Sequence, residues 1–357
     1  MPTAADDTAA DGRMGGDEMK YPRLLQKGDT IGICAPSSGA SGDVLSKRLG
    51  NAISSIKAMG YNVVETASVR SDIKCVSTDS ATRAAEFMSL YKNPDVAAIL
   101  PPWGGEFLMD ILPLLDFEKL ASLPAKWVCG YSDVTTLTFP LTLISDIATI
   151  HGSNLMNMGF SRIHDADLRA FIVMSNLTTE QKSWDTWGGY TSWDDLTQEI
   201  YKLDKPSTWK SLQEDNSVSF SGRMIGGCMD TLCKLLGTRF APIEAFLVKY
   251  KRDGFIWTLE SCEMTAPDIY RTFWQMREGG WFKYCNGIII GRPDGYKDKR
   301  DFKLTDALKQ GLSDLNVPIL YDADIGHIPP QMQIVNGSIG KVEFTDGKAT
   351  VWQSIKE

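Results

Sequence analysis

The feature that most constrains the fold is the alternation between residues 21 and 160, where short apolar runs are separated by longer stretches of helical period. Strands are expected at 30–35, 61–65, 95–100, 127–130 and 148–151. Helices are expected at 43–59, closed by Gly60, at 81–91, with Ser80 as N-cap, at 107–115, and directly after Ser132. This order predicts an α/β unit: a parallel sheet whose crossovers lay helices on both faces. Ligands of such sheets bind at the loops beyond the C-terminal strand ends.

Beyond residue 160 the texture changes. Residues 161–221 are polar and weakly periodic, with Trp184, Trp187, Trp193 and Trp209 spread through them. They read as an inter-domain connection whose aromatics cover a cleft or pack between domains. Residues 222–357 read as a smaller, mixed α/β second domain. Its helices are expected at 228–236 and 267–277, and its strands at 255–259, 287–291 and 318–321. A closing hairpin is expected from 331–335 with 341–344. Two domains suit a length of 357 residues. Residues 1–20, rich in Ala, Asp and Gly, read as a disordered tail without the apolar segment of a secretory signal.

Composition removes several function classes. A net charge of -8 argues against nucleic acid or an anionic membrane surface as the main partner. No run of about 18 apolar residues occurs, so no membrane span is expected. The seven cysteines are scattered and form no CxxC pair, which predicts reduced thiols in a cytoplasmic protein rather than a disulfide frame or a zinc site. The loop at 36–42 does not fit G-x-G-x-x-G, so a dinucleotide is not expected. Neither a cofactor nor a metal is called for.

The chemistry-bearing residues lie at element ends. In Trp127-Val128-Cys129-Gly130-Tyr131-Ser132-Asp133-Val134 a short apolar strand turns sharply into a helix, which would lift the Ser132 hydroxyl off the sheet as an accessible nucleophile. Amides at the helix start can bind developing negative charge. A serine needs an imidazole to remove its proton, and the imidazole needs a carboxylate to fix its tautomer. Glu260 ends an apolar strand, and His327 lies in the Gly- and Pro-rich loop 324–331. His151 and His164 compete with His327 as base, Glu263 competes with Glu260, and composition does not choose among them.

Ordered motifs supply the choice. Lys27-Gly28-Asp29-Thr30-Ile31-Gly32, Ala35-Pro36-Ser37-Ser38, Gly104-Gly105 and Gly130-Tyr131-Ser132-Asp133 are followed by Gly226-Gly227, Leu259-Glu260-Ser261-Cys262-Glu263, Gly287-Ile288-Ile289-Ile290-Gly291 and Gly326-His327. From about residue 25 onward the chain resembles the serine peptidase family of LD-carboxypeptidases and microcin C self-immunity proteins. The resemblance implies a flavodoxin-like first domain, no metal, no cofactor and a homodimer. It also implies that Ser132 is the nucleophile, Glu260 orients the base and His327 is the base, with the amides of Gly105 and Asp133 as the oxyanion hole.

Two departures bear on substrate. LD-carboxypeptidases carry Arg-Gly-Gly-Tyr-Gly where this chain has Trp103-Gly104-Gly105-Glu106-Phe107. The Trp-bearing stretch and the LE-x-x-E spelling resemble the self-immunity branch. The expected substrate is therefore a small peptide, such as a murein tetrapeptide, or an aminoacyl-nucleotide. Gly104, Glu106, Trp184, Trp187 and Trp193 are the candidate substrate contacts, and Arg223 or Arg239 stands in for the missing arginine. The rival reading is a non-catalytic protein that binds a small ligand in the same cleft.

Overall fold

A computed structural model describes residues 18–355, so most of the expected tail lies outside the described residues. Its last residues are held in place. Met19 is buried, and the Lys20 ammonium donates to the Ala121 carbonyl at 2.6 Å.

The first sheet contains β1 (Thr30–Ile33), β2 (Asn62–Glu65), β3 (Val96–Ile99), β4 (Trp127–Gly130) and β5 (Thr149–His151), all parallel in the order β2-β1-β3-β4-β5. That order is flavodoxin-like and matches the expected α/β class. The apolar strand residues explain the choice: β3 and β4 are buried at every position, as strands covered on both faces must be. The helix Thr135–Ser145 follows the Ser132 turn and carries only apolar, Thr and Ser side chains, with ten of its eleven residues buried. The helix expected at 107–115 is instead a tight 3-10 stretch, Leu108–Leu114. Pro113 inside it lacks the N–H that a regular helix would use.

The middle region is more than a connection. It supplies β6 (Thr178–Lys182), β7 (Thr186–Tyr190), β8 (Tyr201–Pro206) and β9 (Lys210–Ser211). β7 and β8 form a separate hairpin, while β6 and β9 are the two outer strands of a second sheet. That sheet is built on parallel β10 (Ser217–Cys228), β11 (Phe255–Glu260), β12 (Cys285–Gly291) and β13 (Ile319–Ala323).

The expected closing hairpin does not form. β14 (Ile334–Asn336) crosses to the first sheet and runs antiparallel to β5, with Ile334 opposite His151. The true hairpin is β15 (Ile339–Thr345) with β16 (Lys348–Ser354). Its two-residue turn is Asp346-Gly347, both at positive φ, the chemistry such hairpins require. A continuous apolar core joins the two sheets. Phe139, on the helix after Ser132, stacks on Trp281 at 5.3 Å and lies 6.4 Å from Trp257. The tryptophans between the sheets thus come from the C-terminal half and not from 161–221.

Candidate active site

Ser132 sits at the exit of β4 with φ 62, a left-handed backbone that is rare for a residue with a side chain. The turn is locked by Asp133. Its carboxylate accepts from the Ser37 hydroxyl (2.6 Å), the Leu108 amide (2.9 Å) and the Thr136 hydroxyl (3.0 Å), which ties the loop after β1, the start of the 3-10 stretch and the following helix to one point. Gly104 lies against the turn. A Cβ there would come within 2.7 Å of the Ser132 Cβ, 2.8 Å of its Oγ and 2.9 Å of the Asp133 amide nitrogen, so only glycine fits.

Glu260 ends β11 and is fully buried. Its Oε2 accepts from His327 Nδ1 at 2.8 Å. The glycine before the histidine is required by the same contact: Gly326 has φ 96, and a Cβ on it would fall 2.5 Å from Glu260 Oε2. With Nδ1 engaged, His327 Nε2 is buried and has no protein hydrogen-bond partner among the described residues. The ring of Tyr131 packs edge-on against it at 4.7 Å.

The electrostatics follow from this pairing. Burial alone would depress the His327 imidazole. The charge of Glu260, the neighbouring Cys262 sulfur, the hydrogen bond to Glu260 and Tyr131 together outweigh it and hold His327 well above its ordinary value. Burial likewise opposes ionisation of Glu260, but the charge and hydrogen bond of His327, with lesser help from His151 and Cys228, keep its carboxyl below the usual range. His151 is also fully buried, and burial pulls it down to about 4 despite Glu260.

Two hollows meet at Ser132. The larger, about 480 Å³, is bordered by Leu45, Trp103, Gly104, Tyr131, Ser132 and His327. The smaller, about 180 Å³, is bordered by Glu106, Ser132, Asp133, Cys228, Lys234 and Cys262. Gly105 lines both. A third hollow of about 530 Å³, near Pro242 and Trp281, is lined by no Ser, Cys or His. The structure thus brings Ser132, His327, Gly104, Gly105, Glu106 and Asp133 to one place, with Glu260 directly behind His327.

It does not bring the tryptophans there. Trp184 packs on His164 beneath the Arg169 guanidinium (4.2 Å), Trp187 lies between Lys205 and Arg292, and Trp193 stacks on Tyr190. Each is occupied by a cation or a ring, and none borders either hollow at Ser132. Trp193 is linked to the site only at second hand, through Tyr190, whose hydroxyl lies 3.0 Å from that of Tyr131. The proposed arginine substitutes are also elsewhere. Arg223 is buried against Asp253, and Arg239 stacks over Phe240. His164 caps the helix Asp165–Met174 through Nδ1 and is not a base here. Sequence reading overlooked Lys234, Cys228 and Asp230. Asp230 accepts from the Cys262 and Glu263 amides and shapes the turn after Glu260, but a lone Asp three residues past Gly227 carries no recognisable signature.

Cys228, Glu260 and His327 offer donor atoms within 4.8 Å of one another. Glu260 Oε2 and His327 Nδ1 engage each other. Burial and the neighbouring Glu260 and Asp230 hold the Cys228 thiol well above its ordinary value, so the carboxylate and imidazole pair beside a protonated thiol.

The chain matches the LD-carboxypeptidase N-terminal domain over residues 31–152 and the LD-carboxypeptidase C-terminal domain over residues 221–342. It is 28% identical to a Vibrio cholerae protein assigned as a carboxypeptidase, over 91% of this chain and 96% of that one. It is 24% identical to the microcin C7 self-immunity protein MccF of Escherichia coli, over 92% of this chain and 94% of that one. The solved structure of MccF with glutamyl sulfamoyl guanosine superposes with a TM-score of 0.79 at 23% identity, covering 95% of this chain and 98% of that one. A muramoyltetrapeptide carboxypeptidase from Oxalobacter formigenes does so with a TM-score of 0.71 at 20% identity, covering 91% and 98%. With both domain profiles matched in order across more than half its length, the chain belongs to the LD-carboxypeptidase family.

Proposed function

We propose that the protein is a serine amidase in which Ser132, His327 and Glu260 act as nucleophile, base and orienting carboxylate. Ser132 Oγ attacks the carbonyl carbon of a scissile amide while His327 Nε2 takes its proton. The C–N bond breaks as that proton passes to the leaving nitrogen, and a water activated by His327 then hydrolyses the Ser132 ester. The amides of Gly105 and Asp133 receive the oxyanion, each worth about 3 kcal/mol in the transition state. The observation that carries this reading is convergence: Ser132 and His327 border one hollow, and the 2.8 Å Glu260 contact leaves His327 Nε2 as the unengaged ring nitrogen.

The larger hollow bears on the substrate. Trp103 stands where the family's loop arginine would clamp a carboxylate, and with Leu45 and Tyr131 it gives an apolar wall suited to a ring system. That favours an aminoacyl-nucleotide type of substrate, the kind of ligand seen in the MccF complex. Lys234, the cation on the smaller hollow, supports a second reading in which a peptide carboxylate is bound, as in a murein tetrapeptide. The test is a mass-spectrometric hydrolysis assay with an aminoacyl-sulfamoyl adenosine and a murein tetrapeptide ending in D-alanine, wild type beside Ser132→Ala. Release of amino acid or D-alanine should vanish in the variant while its melting temperature holds. Undiminished release would refute the assignment.

A further inference from the structure

Glu260 has two oxygens, and the His327 contact uses only one. Its other oxygen, Oε1, is buried without a hydrogen-bond partner among the described residues, and so is His151 Nε2. These two atoms face each other at 3.6 Å. The Cys228 thiol, the other polar group close to the carboxylate, is shared: it helps hold Glu260 ionised and lies 3.6 Å from Asp230 Oδ2. His151 is well fixed: it ends β5, opposite Gly130 of the nucleophile strand on one side and Ile334 of β14 on the other. Tyr131 meets its ring at a right angle.

A hydrogen-bond chain lies behind the ring. The Cys228 amide donates to Thr135 Oγ1 at 3.3 Å, and Thr135 Oγ1 lies 3.4 Å from His151 Nδ1. A hydroxyl that accepts from an amide still has its own proton to give, so Nδ1 is able to accept it. The ionised Glu260 carboxylate is an acceptor only, which favours the proton of a neutral ring on the facing Nε2. Full burial favours the neutral form.

We infer that His151 is a positioning residue of this site, donating its Nε2–H to the second oxygen of Glu260 and so fixing the carboxylate that orients His327. The role rests on the amidase reading above. A buried carboxylate with one free oxygen can rotate about its Cγ–Cδ bond and misalign His327, and a second donor stops that rotation. The 3.6 Å separation is longer than a hydrogen bond and is expected to shorten when substrate binds.

The test compares wild type, His151→Phe, His151→Gln and Ser132→Ala by steady-state kinetics from pH 6 to 9, with thermal melts of each. His151→Phe keeps the bulk and loses the donor, so kcat should fall roughly ten- to hundredfold with KM nearly unchanged. His151→Gln, whose amide nitrogen reaches the Nε2 position, should recover most of that loss. With only three histidines in the chain, ¹⁵N-histidine NMR of the wild type reads the tautomer directly and needs no substrate. It should show His151 neutral with its proton on Nε2 at pH 7. Wild-type kcat in His151→Phe beside a dead Ser132→Ala overturns the inference alone, as does a charged or Nδ1-protonated His151. Turnover surviving in Ser132→Ala overturns the amidase reading instead.

Discussion

Glu260 must stay ionised where no solvent reaches it, and it does so because His327 answers its charge directly. The same contact sets the pH dependence expected of the enzyme. His327 is held above its ordinary value, and catalysis needs its neutral form, so kcat/KM should rise with pH to a midpoint above 6.5. Glu260→Gln removes the charge and should move that midpoint toward acid while lowering the rate roughly ten-thousandfold. An unmoved midpoint would show that Glu260 does not govern His327. Stability has its own sign. The extra stability from His327 is fully present below pH 6.5 and is lost as pH rises through its raised folded value. That from Glu260 is present above its ordinary 4.5 and is lost only in stronger acid. Between 6.5 and 4.5 His151 acts alone among the three, because the unfolded chain binds a proton that the folded one refuses. Stability should therefore fall with acid by about 1.4 kcal/mol per pH unit there. Urea titrations of wild type and His151→Gln measure it, and the variant should lose that slope.

At the scale of elements, the loop that carries His327 is anchored three residues earlier. The buried Asp324 accepts from the Trp209 indole (2.9 Å), the Ser207 hydroxyl (3.1 Å) and the Trp184 amide (2.9 Å), and pairs with Arg292 at 2.5 Å. The middle region thus holds the His327 loop through this carboxylate and through the Gly188 amide, which donates to the Pro329 carbonyl at 3.1 Å. Asp324→Ala would leave the buried Arg292 unpaired and should cost about 3–5 kcal/mol, read as a lower urea midpoint with a matching loss of kcat. Retained stability would mean that the loop is held elsewhere. This anchor was not legible in the sequence: Asp324 reads as one more loop residue, and its four partners come from distant segments. The nucleophile turn was legible because its signal is local, an apolar strand ending at Gly130-Tyr131-Ser132. The β15–β16 hairpin is equally legible in its Asp346-Gly347 turn, whereas the hairpin expected from 331–335 with 341–344 follows the apolar run at 334–335. That run is apolar because β14 is buried against β5.

Over the whole molecule, the site lies where two sheets meet, and neither half holds it alone. Ser132 comes from the first sheet, Glu260 and His327 from the second, and His151 stands on β5 between them. The junction is apolar, with Phe139 stacked on Trp281. Phe139→Ala should cost about 3–5 kcal/mol, and because the core is continuous the loss should appear in one unfolding transition. Two separated transitions would show that the halves unfold independently. The α/β order of the first half was plain from its alternation. The C-terminal return of β14 to the first sheet was not, since sequence order gives no hint that a strand leaves its neighbours for a sheet formed some 180 residues earlier.

The central claim is that Ser132 is a nucleophile activated by His327, and covalent labelling tests it without knowledge of the substrate. The native protein would be treated with a fluorophosphonate and digested, and the adduct located by mass spectrometry in wild type and His327→Ala. A single adduct on Ser132, formed far more slowly in the His327 variant, is the predicted result. Labelling at another residue, or at Ser132 with a rate indifferent to His327, would contradict it.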